Sequence, residues 1–184
     1  MSDELVVRFC APTLAGLKTG SMFSCPYGSA EELKRDIREM NVRLGGKGLR
    51  VLPLRYCEGR ALIYFYRPGK LKADLEELEA VAILARMGYP VESSDRCVAK
   101  LMNRLAEAPE FPHEIGLFLG YPPEDVWGFI EHRAENCKCV GCWKVYGDEA
   151  AAEKLFRKYR KCTQVYCSCL KRGFSVERLT VAEH

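Results

Sequence analysis

No run of apolar residues in this 184-residue chain approaches the roughly 20 needed to cross a bilayer. The opening MSDELVVRFC has no basic leader, and its apolar stretch is too short for an export signal, so the cytosol is the expected compartment. No repeat period is present, and 15 Gly with 9 Pro exclude collagen-like and low-complexity chains. A strong charge bias is also missing: 28 basic and 25 acidic residues leave a net charge of +3. A dedicated nucleic-acid binder usually carries a denser basic footprint, so neither nucleic acid nor membrane is expected as a partner. What remains is 48% hydrophobic and 29% charged, an ordinary globular composition long enough to bury one core.

Cysteine is the exception, with ten residues. That is still a smaller share than the roughly 8% or more of disulfide scaffolds. Without an export signal the thiols are expected to stay reduced. Three readings then compete: small buried hydrophobes, metal ligands, or a reactive nucleophile.

Periodicity predicts one α+β domain over residues 1–184, strand-rich over 1–70 and mostly helical over 71–184. A small antiparallel sheet from the N-terminal half would pack with about six helices. Leu5–Cys10 reads as a short strand, and Cys10–Gly28 as a packed loop anchored by Leu14, Leu17, Met22 and Phe23. Ser29 caps a helix with Leu33, Ile37, Met40 and Leu44 on one face, stopped at Gly45-Gly46. Leu49–Tyr56 and Ala61–Tyr66 read as a hairpin, with Pro53 demoting the first strand to an edge or a bulge. Helices follow over 71–87, from Ser94, from Pro112 to Gly120, over about 123–134, and from Asp148 to Arg172. Val140–Tyr146 and Phe174–Val181 read as strands.

The most distinctive stretch is FPHEIGLFLGYPPEDVWGFI, Phe111–Ile130. Pro112 sets a helical start, placing His113 and Glu114 where unpaired N–H groups point outward. A neutral imidazole beside a carboxylate suits general-base work, and equally a plain helix cap. It is not the zinc-protease pattern, because position 117 is Leu117 where a second His is required. With CAPTLAGLKTGSMFSC and GCWKVYG, this box resembles a bacterial family of unknown function, domain of unknown function number 3793, over nearly the whole chain. The resemblance implies a cytosolic protein of a low-oxygen organism, where thiol and iron chemistry survive. The family has no assigned activity, so no catalytic residue is carried over.

In the Cys10–Ser21 segment, Gly16 and Gly20 permit close backbone approach, while Thr13, Lys18 and Thr19 supply donors. This is not a P-loop, since its Gly-Lys-Ser/Thr signature is absent. A nearby Lys18 would raise the thiolate fraction of Cys10, and Cys10 with His113 as base and Glu114 as orienter makes chemical sense. The alternative is a buried Cys beside a surface Lys.

Cys137, Cys139 and Cys142 form C-x-C-x2-C, and Cys162, Cys167 and Cys169 follow on the last long helix. Three loop thiolates plus Cys162 would make a four-thiolate zinc or iron–sulfur site, whereas Cys167 falls on another face. The stripe Leu155, Tyr159, Cys162, Tyr166, Cys169 equally reads as a core face. The same helix carries Lys154, Arg157, Lys158, Arg160, Lys161, Lys171 and Arg172 against Glu153, a basic surface suited to nucleic acid, to an acidic protein partner or to solvent alone.

Three functional readings result. The first is an enzyme or binding protein for a small anionic molecule, its pocket joining the Cys10–Lys18 loop to the His113-Glu114 turn, with Tyr121, Lys144 and Tyr146 as rim groups. The second is a thiolate metal protein. The third is a docking module for an acidic partner.

Overall fold

The computed structural model describes residues 1–107, 110–133 and 135–183. The chain divides into two compact units, residues 1–69 with 159–184, and residues 70–158. The architecture is α+β, with a small antiparallel sheet in the N-terminal half and a helical C-terminal half.

In the first unit, α1 (Asp3–Leu14) occupies the segment whose start reads as a strand. Val6, Val7 and Phe9 favour a strand locally, but buried Val6, Val7, Cys10, Ala11 and Leu14 recur at helical spacing. Ser2 accepts from the Leu5 N–H, and Asp3 and Glu4 sit at the positive end of the helix. The expected loop after Cys10 is therefore the last turn of α1, a turn through Gly16 at φ +71°, and strand β1 (Gly20–Pro26). Ser21, Phe23 and Cys25 are buried at alternate positions, the period-two signal of a strand.

Strands β2 (Arg50–Cys57) and β3 (Arg60–Tyr66) form the expected hairpin. The sheet order is β1-β3-β2, antiparallel throughout. Pro53 lies on the edge strand, where the register shifts between Pro53 and Arg55. Helix α2 (Ala30–Gly45) buries Leu33, Ile37, Met40 and Leu44 against Phe23, Ile63 and Phe65. Asn41 extends the β2 edge, its amide donating to Val51 O and its carbonyl accepting from Val51 N, each at 2.9 Å.

Arg67 follows β3 and is 1% exposed. Its guanidinium donates to the carbonyls of Thr13, Leu14 and Val181 at 2.7–2.8 Å and to Lys47 O at 3.3 Å. Two of these are carbonyls at the end of α1, where the helix dipole is negative. Burial lowers the pKa of Arg67, and Glu183 opposes that shift.

The second unit begins within α3 (Pro68–Leu75) and runs through α4 (Leu78–Arg86), α5 (Ser94–Glu107), α6 (Ile115–Phe118) and α7 (Pro123–His132). A two-residue ladder follows, β4 (Cys139–Val140) with β5 (Lys144–Val145), and then α8 (Glu149–Lys171), of which residues 149–158 belong to the second unit and 159–171 to the first. The helix expected over 71–87 is two helices, because Glu77 is extended at ψ 136°. The expected end of α7, position 134, lies outside the described residues. The strand expected over 140–146 is the β4–β5 hairpin. The C-terminal strand is instead α9 (Val176–Leu179), capped by Ser175. With α1 and the divided helix, this makes nine helices among the described residues against the expected six or so. Among the described residues no helix is long and apolar enough to cross a membrane.

Candidate functional site

The second unit contains a cleft of about 300 Å³. One wall comes from the turn before α6 and from α6 itself, through His113, Ile115 and Gly116. The second comes from α7, through Val126 and Phe129, which share a helical face. The third is the β4–β5 hairpin. Val140 and Lys144 are cross-strand partners, so they point to the same side, and both line the cleft. Cys139 and Val145 form the neighbouring pair and point the other way.

Four rings, those of His113, Tyr121, Phe129 and Trp143, line the cleft. Tyr121 stacks on Trp143 with centroids 4.6 Å apart, and Trp143 meets Phe156 edge-on at 4.5 Å. His113 meets Phe129 edge-on at 4.8 Å. Asp125, at the start of α7, anchors this frame. Its Oδ2 accepts from Trp143 Nε1 at 2.6 Å, and its Oδ1 from the backbone N–H groups of Tyr146 and Gly147 at 2.7 and 2.8 Å. A buried carboxylate with three N–H donors is well satisfied, and it fixes both the indole and the exit of the hairpin.

Tyr121 Oη donates to Cys142 O at 3.4 Å, and Gly141 N donates to Trp143 O at 2.9 Å. The turn Gly141-Cys142-Trp143 is thus held on both sides of the cysteine. Gly141 is required there, since a Cβ would lie 2.2 Å from the Phe156 ring.

His113, Tyr121, Lys144 and Cys142, all singled out by sequence, meet in this cleft. Glu114 does not. It is 3% exposed, accepts from Tyr89 Oη at 2.8 Å, and lies 2.8 Å from Arg104 Nε in a contact of charges that is not an aligned hydrogen bond. Burial first, and the Glu114 charge second, raise the pKa of Tyr89. Glu114 is therefore an internal brace of the His113 turn, and the expected orienter role is corrected: the carboxylate is engaged away from the imidazole. Tyr146 sits behind the wall with its ring over Gly128, where a Cβ would lie 2.4 Å from Cγ, and stacks on His132 at 5.7 Å. Its hydroxyl is buried with no hydrogen-bond partner among the described residues.

The Cys10–Lys18 segment belongs to the first unit. Cys10 is fully buried within α1, and burial raises its thiol pKa while Lys18 acts in the opposite sense. Lys18 has the expected sign, but burial wins, so Cys10 is not an accessible thiolate. Thr13 is buried with its hydroxyl 2.8 Å from Ser21 Oγ, and Thr19 is 6% exposed with its carbonyl accepting from Arg67 N. Neither threonine is an open loop donor.

Desolvation and the Glu149 carboxylate, to which its thiol is hydrogen-bonded, push Cys139 up. Cys137 is half-buried, and Cys162 lies in the α8 segment assigned to the first unit. Among the described residues no group of three or more His, Cys, Asp or Glu side chains is arranged to hold a metal ion. Alternation in β4 separates Cys139 from the cleft that Cys142 lines.

Asp125, Val126, Phe129 and Val140 are among the cleft residues that the sequence did not single out. Asp125 was hidden because an acid in a first helical turn is already explained by the dipole. Val126 and Phe129 read as a helix core face, and the short spacing from Val140 to Lys144 was the available hairpin signal.

No curated protein and no solved structure matches the chain. Residues 6–180 match the family described as protein of unknown function (DUF3793), and the chain belongs to that family.

Proposed function

We propose that the second unit binds a small organic anion with a flat or aliphatic body. The observation that carries this reading is the cleft of about 300 Å³, whose lining combines aromatic and aliphatic walls with Lys144 and His113. Ligand clefts of this kind are mainly apolar with a few polar groups that set orientation. Rings held by Asp125 and by one another accept an apolar body with little ordering cost. Asp125 carries the negative charge in the lining, and three N–H donors already engage it. Lys144 is the cationic side chain of the lining and sets the preference for an anion.

Trp127→Phe leaves Trp143 as the sole tryptophan, because the chain has two. Hexanoate and phenylacetate should then change Trp143 emission saturably, and hexanol and phenylethanol should bind about fivefold more weakly, as one partly solvated charge contact implies. Lys144→Glu should erase that difference. Equal response to acids and alcohols, or no saturable response at about 10 mM, a Kd near the weak limit of specific binding, overturns the reading.

A further inference from the structure

We propose that Cys142 is a nucleophile that accepts an acyl group from a thioester or activated ester bound in the cleft. This deepens the binding function proposed above and rests on it.

The chain holds ten cysteines, and the structure treats them differently. Cys10, Cys25 and Cys97 are buried. Cys139 is engaged by Glu149. Cys57 and Cys142 are the two exposed thiols. Cys57 ends β2 at the hairpin to β3, whereas Cys142 lines the cleft together with an imidazole and an ammonium group. Reactive thiols are found at accessible positions beside a base or a cationic group. The turn that carries Cys142 is also fixed, by Tyr121 on its carbonyl and by the stacked and hydrogen-bonded Trp143 beside it. A nucleophile gains from this, since its position is set before the substrate arrives.

The chemistry follows from the lining. His113 takes the Sγ–H proton, and Sγ adds to the acyl carbonyl carbon. A C–S bond forms at Cys142 as the donor's C–S or C–O bond breaks, and His113 returns the proton to the leaving thiolate or alkoxide. Atoms and electrons balance without an oxidant. The transient oxyanion is an anion attached to an apolar chain, the same chemical pattern that the cleft suits, and Lys144 supplies the opposing charge. The Ile115, Val126, Phe129 and Val140 walls receive the acyl tail.

The test uses the native full chain with p-nitrophenyl hexanoate, read by peptide mass spectrometry at Cys142 and at Cys57. The expected result is acylation of Cys142 at least about tenfold faster than of Cys57, the gain of one general base and a fixed position. His113→Asn should slow Cys142 about tenfold while leaving Cys57 unchanged. Equal rates at the two cysteines, or no effect of His113→Asn, overturn the proposal. Hexanoate titration of Cys142→Ser separates the two readings. Saturable binding without any acylation preference in the native chain overturns the nucleophile and leaves the binding site. Absence of saturable binding in the native chain overturns both.

Discussion

His113 and Glu114 are consecutive in the chain and opposite in environment: the imidazole is exposed on the cleft wall, while the carboxylate is buried and accepts from Tyr89 Oη at 2.8 Å. Glu114→Ala should therefore act on stability. It leaves the Tyr89 hydroxyl without its acceptor and removes the charge facing Arg104 Nε, while Arg104 keeps the Met87 carbonyl, a loss of about 2 kcal/mol. Glu114→Gln keeps an acceptor for Tyr89 and should lose about half as much. Urea unfolding of both variants measures the difference, and a loss within about 0.5 kcal/mol of zero for Glu114→Ala contradicts the brace.

Arg67→Met keeps the volume of the stem and removes the donors to four backbone carbonyls. Three of these carbonyls keep a backbone donor, from Gly16, Val181 and Glu183, so the loss is that of the buried charge-assisted bonds themselves and should destabilise the first unit by about 2 kcal/mol or more. Arg67→Lys supplies one ammonium where a fork bridged α1, Lys47 and Val181, so it should recover only part of the loss. Denaturant midpoints of the two variants test the order native, Lys, Met.

Arg43 joins Asp3 at 3.0 Å and also Glu177, linking α2 to α1 and α9. The Arg43 contact holds the Glu177 carboxyl at about 2, below its unfolded value of about 4.3. A depressed acid contributes stability that is full above the unfolded pKa and is lost as pH falls through the folded one. The side chains are about one-third exposed, so solvent screening limits the contribution to roughly 1 kcal/mol. The gap in urea midpoint between the native chain and Glu177→Gln should be constant above about pH 5 and shrink toward pH 2. A gap that widens on acidification reverses the assigned sign.

A Cβ at Gly116 would lie 2.7 Å from Val126 Cγ2 and 3.1 Å from Tyr121 Cδ2. Gly116→Ala should therefore force α6 from α7, cost about 1–3 kcal/mol and weaken hexanoate binding. Val126→Ala in the same chain removes the clashing methyl groups, so the double variant should be more stable than the sum of the single losses implies. Strict additivity in a double-mutant cycle would show that the close approach is not what requires glycine.

Amphipathic elements were legible where spacing and cap agreed. The Ser29 cap and the stripe Leu33, Ile37, Met40, Leu44 give α2 outright, and Pro53 marks the irregular edge strand. α1 misleads because Val6, Val7 and Phe9 favour a strand, although Ser2 with Asp3 and Glu4 already marked a helix start. Strand β1 was hidden because Gly20, Ser21 and Pro26 look like loop residues, and only burial of Ser21, Phe23 and Cys25 reveals the alternation. Part of the cleft was visible as residues: His113, Tyr121, Cys142 and Lys144 all line it. Their partners were not, since the direction of Glu114 depends on Tyr89 and Arg104, both distant in sequence.

The first unit is assembled from chain on both sides of residues 70–158. Its core includes Val176 and Leu179, with Tyr166, Leu170 and Phe174 packed against it. During synthesis, the sheet leaves the ribosome well before the residues that complete its covering, so its apolar face waits for roughly 90 more residues, some 5–20 s at usual elongation rates. A nascent chain stalled in that interval should be the form most exposed to chaperones and to aggregation.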